Sequence, residues 1–323
     1  MDIQPLFLFS LPRSGSTLAQ RILASHEELS TTPEPWILLP YLYTLRSGGI
    51  SAKYQHKSMA AGIQNFCRQL PNGTDDYLAE LREFVLRLYG RATSNGARYF
   101  LDKTPRYHLV VDEVIHLFPK GKFIFLWRNP LAVVASIMET WGNGRWNLHL
   151  YQVDLFEGLA NLIAACETHR NRAYAVRYED LLSNSEDEWR RIFTYLDLTF
   201  DVGVLSRFTE VQLTDPSPYP VVSSEPLDKW KRTLASPVRK SWCRRYLRWI
   251  GSERLAVMGY DSEELLRELD AIPSHPRFVA SDLFRQAYGV AYCALQSRVL
   301  DGKQAWRRAW RVMHGRGDEA GGS

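Results

Sequence analysis

The segment Phe9-Ser10-Leu11-Pro12-Arg13-Ser14-Gly15-Ser16-Thr17 follows an apolar run at residues 5–9 and opens a helical pattern at residues 18–24. A buried strand that passes through a short loop straight into a helix is the unit from which α/β layers are built. It also forms a cradle for an anion, because the first N–H groups of the helix lack backbone acceptors and carry the positive end of the macrodipole. Against the phosphate-loop pattern G-x-x-x-x-G-K-[ST], Ser10 falls at the first glycine, Gly15 at the second and Thr17 at the hydroxyl position. Ser16 stands where the lysine belongs, which argues against a nucleoside-triphosphatase. The loop's cation is Arg13 instead.

Three further runs read as strands: residues 99–101, Lys122–Trp127 and residues 173–178. The middle one is almost wholly apolar, as a strand covered on both faces is. Helical patterns at residues 76–89, 106–118, Pro130–Thr140, 150–170 and 185–196 alternate with them. That alternation predicts an α/β, P-loop-like three-layer fold with a central parallel sheet flanked by helices, plus a C-terminal helical extension. In such a sheet, ligands bind beyond the carboxyl ends of the strands. The expected divisions are a main domain at residues 1–261, a helical extension at 262–314 and a disordered tail at 315–323. A loop at residues 213–226 with four prolines reads as a flap over the site.

Beyond the second long apolar strand, Trp127-Arg128-Asn129-Pro130 releases Arg128 at the strand's carboxyl end, and Ser136 follows in the next helix. A guanidinium and a hydroxyl then converge on one anion, with the fork geometry suited to a terminal phosphate. The 40 basic and 36 acidic side chains give a formal charge of +4, too mild for a nucleic-acid binder. Cys67, Cys166, Cys243 and Cys293 are scattered without metal-ligand spacing, so neither a zinc site nor a disulfide framework is expected.

Taken together, Pro12-Arg13-Ser14-Gly15-Ser16-Thr17, Arg128 and Ser136 resemble the two-part donor site of sulfotransferases that use 3′-phosphoadenosine 5′-phosphosulfate. The resemblance covers about residues 5 to 260. It implies that the loop holds the 5′-phosphosulfate and that Arg128 and Ser136 hold the 3′-phosphate. It further implies that Tyr178 lies near the adenine, that Lys103 is the catalytic lysine, and that Lys229-Trp230 meets the 3′-phosphate or ribose. Thr214 would stand near the sulfuryl group. Cytosolic members carry Lys-Thr-His after the second strand, whereas this chain reads Lys103-Thr104-Pro105. It is closer to the tyrosylprotein and bacterial branch, in which Thr32-Pro33-Glu34-Pro35-Trp36 resembles the element bearing the base. Glu34 is therefore the expected base and His108 the reserve. Thr140 stands where tyrosylprotein-type members place a second arginine, which shifts weight to Lys229.

The expected reaction is sulfuryl transfer to a hydroxyl of a glycan, lipid, small molecule or tyrosine, leaving 3′-phosphoadenosine 5′-phosphate and needing no metal. Trp36, Tyr41, Tyr43, Trp141 and Trp146 are candidate acceptor walls. Rival readings are a nucleotide kinase on the same scaffold and a catalytically silent nucleotide-binding scaffold. No secretory signal and no membrane-spanning run is read in the sequence, so a cytoplasmic location is expected. Trp306, Trp310 and Met313 share one face of a basic C-terminal pattern, a candidate for contact with an anionic inner membrane surface or with a second copy of the chain.

Overall fold

Five short strands, all parallel, form the centre of the molecule in a computed structural model that describes residues 3–50, 52, 54–93, 96–211, 213 and 228–295. They are β1 (Gln4–Ser10), β2 (Leu29–Thr31), β3 (Tyr99–Asp102), β4 (Lys122–Trp127) and β5 (Ala173–Arg177), in the order β2-β3-β1-β4-β5. Parallel neighbours need crossover connections, and helices supply them.

The period of two along each strand divides the core into two layers. Phe7, Phe9, Phe100, Phe123, Phe125 and Trp127 face one side, where they pack with the helices Thr74–Ala92, Val111–Leu117, Pro130–Thr140, Leu159–Thr168 and Pro237–Ile250. Leu6, Leu8, Leu101, Ile124, Leu126 and Val176 face the other, against the helices Ser16–Ala24 and Ser185–Tyr195. Both faces are thus buried, which is why β1 and β4 read as unbroken apolar runs rather than alternating ones.

Several expected elements differ in detail. The three residues of β2 carry no apolar run and were not expected as a strand. The helix expected at residues 106–118 is two pieces, a 3-10 turn at Pro105–Leu109 and a helix at Val111–Leu117. Val110 (φ −138°) breaks it. The pattern at residues 150–170 resolves into a π-helical segment, Val153–Gly158, followed by the helix Leu159–Thr168.

Residues 262–295 pack on the domain before them. Leu265, Leu269 and Ile272 join the large core cluster, and Asp282 of the helix Val279–Leu295 forms a fully buried ion pair with Arg239. The flap at residues 214–226 and the segment 301–323, with Trp306, Trp310 and Met313, lie outside the described residues. Among the described residues, no helix is long and apolar enough to cross a membrane.

Candidate active site

β1 lies between β3 and β4, so the loops that leave these three strands adjoin at one edge of the sheet. The first of them is the anion cradle. Arg13 and Gly15 both adopt left-handed backbone angles (φ 67° and 89°), and this double turn feeds the helix Ser16–Ala24. The helix has no capping side chain and no acidic residue in its first turn, which keeps the positive end of its dipole unneutralised by the protein. Pro12, Ser14 and Ser16 are buried in the loop wall, and Ser10 Oγ at its base is buried without a hydrogen-bond partner. Gly15 is required here for space as well as for φ. A Cβ on it would come within 2.2 Å of the Tyr178 ring.

Arg128, leaving β4, ties the cradle to its other wall. Its guanidinium donates to the Arg13 carbonyl at 2.7 Å and lies 4.6 Å from the centre of the Tyr178 ring, while its Nε is buried and unpaired. The Arg13 Nε points to Ser136 Oγ at 3.4 Å. Arg13, Gly15, Arg128, Ser136 and Tyr178 therefore form one connected cluster, with Arg13 turned toward the Ser136 side. The frame behind Arg128 was not legible in the sequence: Glu179 accepts from the Asn129 N–H (3.0 Å) and from the Tyr260 hydroxyl (2.5 Å), fixing the chain beside Arg128. Asn129 also caps the helix Pro130–Thr140 through the Leu131 N–H at 2.9 Å.

Lys103 follows β3, and its ammonium donates to Glu34 Oε1 at 2.8 Å. The lysine side chain is only 6% exposed and the glutamate 35%, so the pair sits at the mouth of the site rather than in the core. Trp36 Nε1 donates to the other carboxylate oxygen, Glu34 Oε2, at 3.2 Å. The strand β2 explains how a loop glutamate is held. Gln20, from the cradle's own helix, donates to Thr31 Oγ1 (2.8 Å) and to the Thr32 carbonyl (2.9 Å), and Thr31 donates to the Leu101 carbonyl (2.7 Å).

Beneath Lys103, Asp102 accepts hydroxyl hydrogen bonds from Tyr89, Thr104 and Tyr107, and burial pushes its carboxyl up to about 6 against their opposing effect. Thr104 Oγ1 in turn accepts from the Trp36 N–H, and the Tyr107 hydroxyl from the Leu38 N–H.

Other expected residues stand elsewhere. His108 is sealed in the interior with its Nε2 2.7 Å from Asp154 Oδ1, and a Cβ on Gly158 would touch its ring. The reserve base thus stands in the interior, while Glu34 is partly exposed. Trp146 is buried edge-to-face on Trp242 and cannot wall an acceptor cleft, whereas Trp36, Tyr41 and Trp141 are exposed. Trp230 is buried in the core, and its neighbour Lys229 is exposed at the start of the helix Lys229–Thr233. Thr214 lies outside the described residues.

Comparison with known proteins meets this geometry from another direction. Over 223 residues the chain is 31% identical to the nodulation protein NoeE of Sinorhizobium fredii, covering 60% of this chain and 51% of that one. Over 288 residues it is 23% identical to the protein-tyrosine sulfotransferase of Drosophila melanogaster, covering 79% and 51%. The chain thus spans about half the length of these curated relatives. Among solved structures, the sulfotransferase domain from the Synechococcus PCC 7002 olefin synthase superimposes with a TM-score of 0.51 at 25% identity, over 73% of this chain and 90% of that one. Residues 5–202, the stretch holding the cradle, the Lys103–Glu34 pair and Arg128, match the model of the sulfotransferase family, and the chain belongs to that family.

Proposed function

We propose that this protein transfers a sulfuryl group from 3′-phosphoadenosine 5′-phosphosulfate to an acceptor hydroxyl, with Glu34 as the base. The observation that carries the reading is the Lys103–Glu34 pair at the end of β3, placed next to an anion cradle whose far wall is Arg128. The cradle suits a nucleotide with two anionic ends. Ser10 Oγ and Arg128 Nε are buried polar atoms without partners, and the uncapped first turn of the helix Ser16–Ala24 offers N–H donors beside them.

When bound, the donor supplies a sulfuryl group whose bond to the 5′-phosphate oxygen breaks as the acceptor oxygen bonds to sulfur. Glu34 takes the acceptor's hydroxyl proton, and the hydrogen bond from Trp36 keeps its carboxylate turned to the mouth of the site. Lys103 has three N–H donors, of which one engages Glu34. The others serve the oxygen that gains charge as the bond breaks. Arg13, Arg128 and Ser136 orient the nucleotide and are fixed to one another before it arrives, so little reorganisation accompanies the reaction. The sulfuryl group carries less charge than a phosphoryl group, so these fixed donors stand in for the magnesium that phosphoryl transfer employs. Acceptors of glycan, phenol, lipid or small-molecule type approach over the exposed faces of Trp36 and Tyr41.

Incubating the purified chain with isotopically labelled donor and a panel of hydroxyl acceptors tests this directly. Label is expected in an acceptor, without ATP consumption. Glu34→Gln is expected to bind 3′-phosphoadenosine 5′-phosphate as the wild type does while kcat falls by roughly 10²–10⁴-fold. Wild-type turnover in that variant would remove Glu34 from the role.

A further inference from the structure

The molecule carries a second set of convergent donor atoms, at the end of the sheet opposite the cradle. Asp112 and His116 lie one turn apart on the helix Val111–Leu117, which leads to the amino end of β4. His169 closes the neighbouring helix Leu159–Thr168, which leads to the amino end of β5. Asp112 Oδ1 stands 2.7 Å from His169 Nε2, and Asp112 Oδ2 stands 3.4 Å from His116 Nδ1. The two imidazoles meet edge to face with centroids 5.2 Å apart. One donor atom from each of the three residues lies within 4.8 Å of the others.

A tetrahedral ion with bonds of about 2.0–2.1 Å holds its ligand atoms about 3.4 Å apart, so side-chain adjustments on the order of 1 Å complete the set. The side chains of Asp112 and His116 are 56% and 65% exposed and have room for that adjustment. His169, 9% exposed, supplies the fixed point. His116 Nδ1 lies 2.8 Å from the Asp112 carbonyl, a contact that holds the ring beside the carboxylate and that Nδ1 gives up, with its proton, when it turns to an ion.

We propose that Asp112, His116 and His169 bind one divalent transition ion, Zn(II) foremost, which clasps the two helices together. Two imidazoles and one carboxylate select borderline ions such as zinc, cobalt or nickel over magnesium and calcium, and they leave a fourth position for water. Thiols do not compete for the ion among the described residues. All four cysteines are buried, and burial holds the Cys166 thiol up at about 11 and the Cys243 thiol higher still. The site is separate from the transfer chemistry, so its failure would leave the sulfotransferase reading untouched.

The test is a titration of the metal-free full-length chain with Zn(II), in competition with a chromophoric chelator and followed by thermal unfolding. One equivalent is expected to bind with a Kd at or below the micromolar range. A hundredfold excess of free ion over Kd raises Tm by about 3 °C or more. His116→Ala, on the exposed side, is expected to keep the metal-free Tm and the transferase activity but to weaken binding at least ~10-fold and abolish the Tm shift. Co(II) gives an independent readout, since the visible bands of a four-coordinate ion should appear in the wild type and vanish in His116→Ala. Absence of saturable binding, or equal binding by wild type and His116→Ala, would overturn the proposal.

Discussion

Three hydroxyls, from Tyr89, Thr104 and Tyr107, converge on the Asp102 carboxylate at 2.5, 2.9 and 3.1 Å, and two of them in turn accept backbone N–H groups at Trp36 and Leu38. One buried carboxylate therefore orders the loop that carries Glu34, although it touches neither donor nor acceptor. Burial raises its folded pKa from 3.8 to about 6, so the folded state binds the proton more tightly than the unfolded chain. The stability from that proton is full below the unfolded value and is lost as pH rises through about 6. Asp102→Asn cannot titrate. Between pH about 4 and about 7 the wild type should lose about 2 kcal/mol relative to that variant, read from urea unfolding at each pH, and a gap constant with pH would contradict the assignment. Arg128 acts by contact instead. Arg128→Ala removes a guanidinium that holds the Arg13 carbonyl and covers Tyr178, so affinity for 3′-phosphoadenosine 5′-phosphate should fall about 10–100-fold, with a smaller change in kcat at saturation. A loss confined to kcat in nucleotide titrations and rate assays would contradict that role.

Elements were legible where burial leaves a continuous signature. β1 and β4 are covered on both faces and read as apolar runs, and of the residues just past them Arg13, Gly15 and Arg128 are drawn into one cluster with Ser136 and Tyr178. β2 was not legible, because three residues of an edge strand held by Gln20 and Leu101 need no apolar pattern. The break at Val110 and the π-helical turn at Val153–Gly158 were hidden for a related reason. The two segments meet at the buried His108–Asp154 contact, a long-range pairing that helix periodicity does not encode. Asp102 and Glu179 carried no signal of their own, since Tyr89 lies 13 positions from Asp102, and Asn129 and Tyr260 lie 50 and 81 positions from Glu179. The cradle itself yields the sharpest element-scale prediction. Gly15→Ala puts a methyl group 2.2 Å from the Tyr178 ring at a φ of 89°, which should cost about 1–3 kcal/mol in denaturant unfolding and abolish nucleotide binding. Unchanged nucleotide affinity in that variant would show that the cradle is formed otherwise.

At the scale of the whole molecule, the helix Val279–Leu295 is tied to the domain before it by a buried charge pair. Arg239 makes two bonds of 2.9 Å to Asp282, donates to the carbonyls of Thr233 and Gly144, and lies against Trp146 and Phe278. It thereby joins the helices Lys229–Thr233, Pro237–Ile250 and Val279–Leu295. Asp282→Ala leaves that guanidinium buried and uncompensated, so the chain should lose about 3–5 kcal/mol in equilibrium unfolding, and a change under 1 kcal/mol would place the pair outside the stability of the fold. The activity depends on what binds at the other focus of the fold, the edge of the sheet where the loops after β1, β3 and β4 meet. The most direct measurement is a crystal structure of the chain with 3′-phosphoadenosine 5′-phosphate. It should place the 5′-phosphate on the N–H groups of residues 14–17 and the 3′-phosphate on Arg128 and Ser136, with Lys103 and Glu34 facing the 5′ end. Nucleotide bound away from both Gly15 and Arg128 would contradict the account.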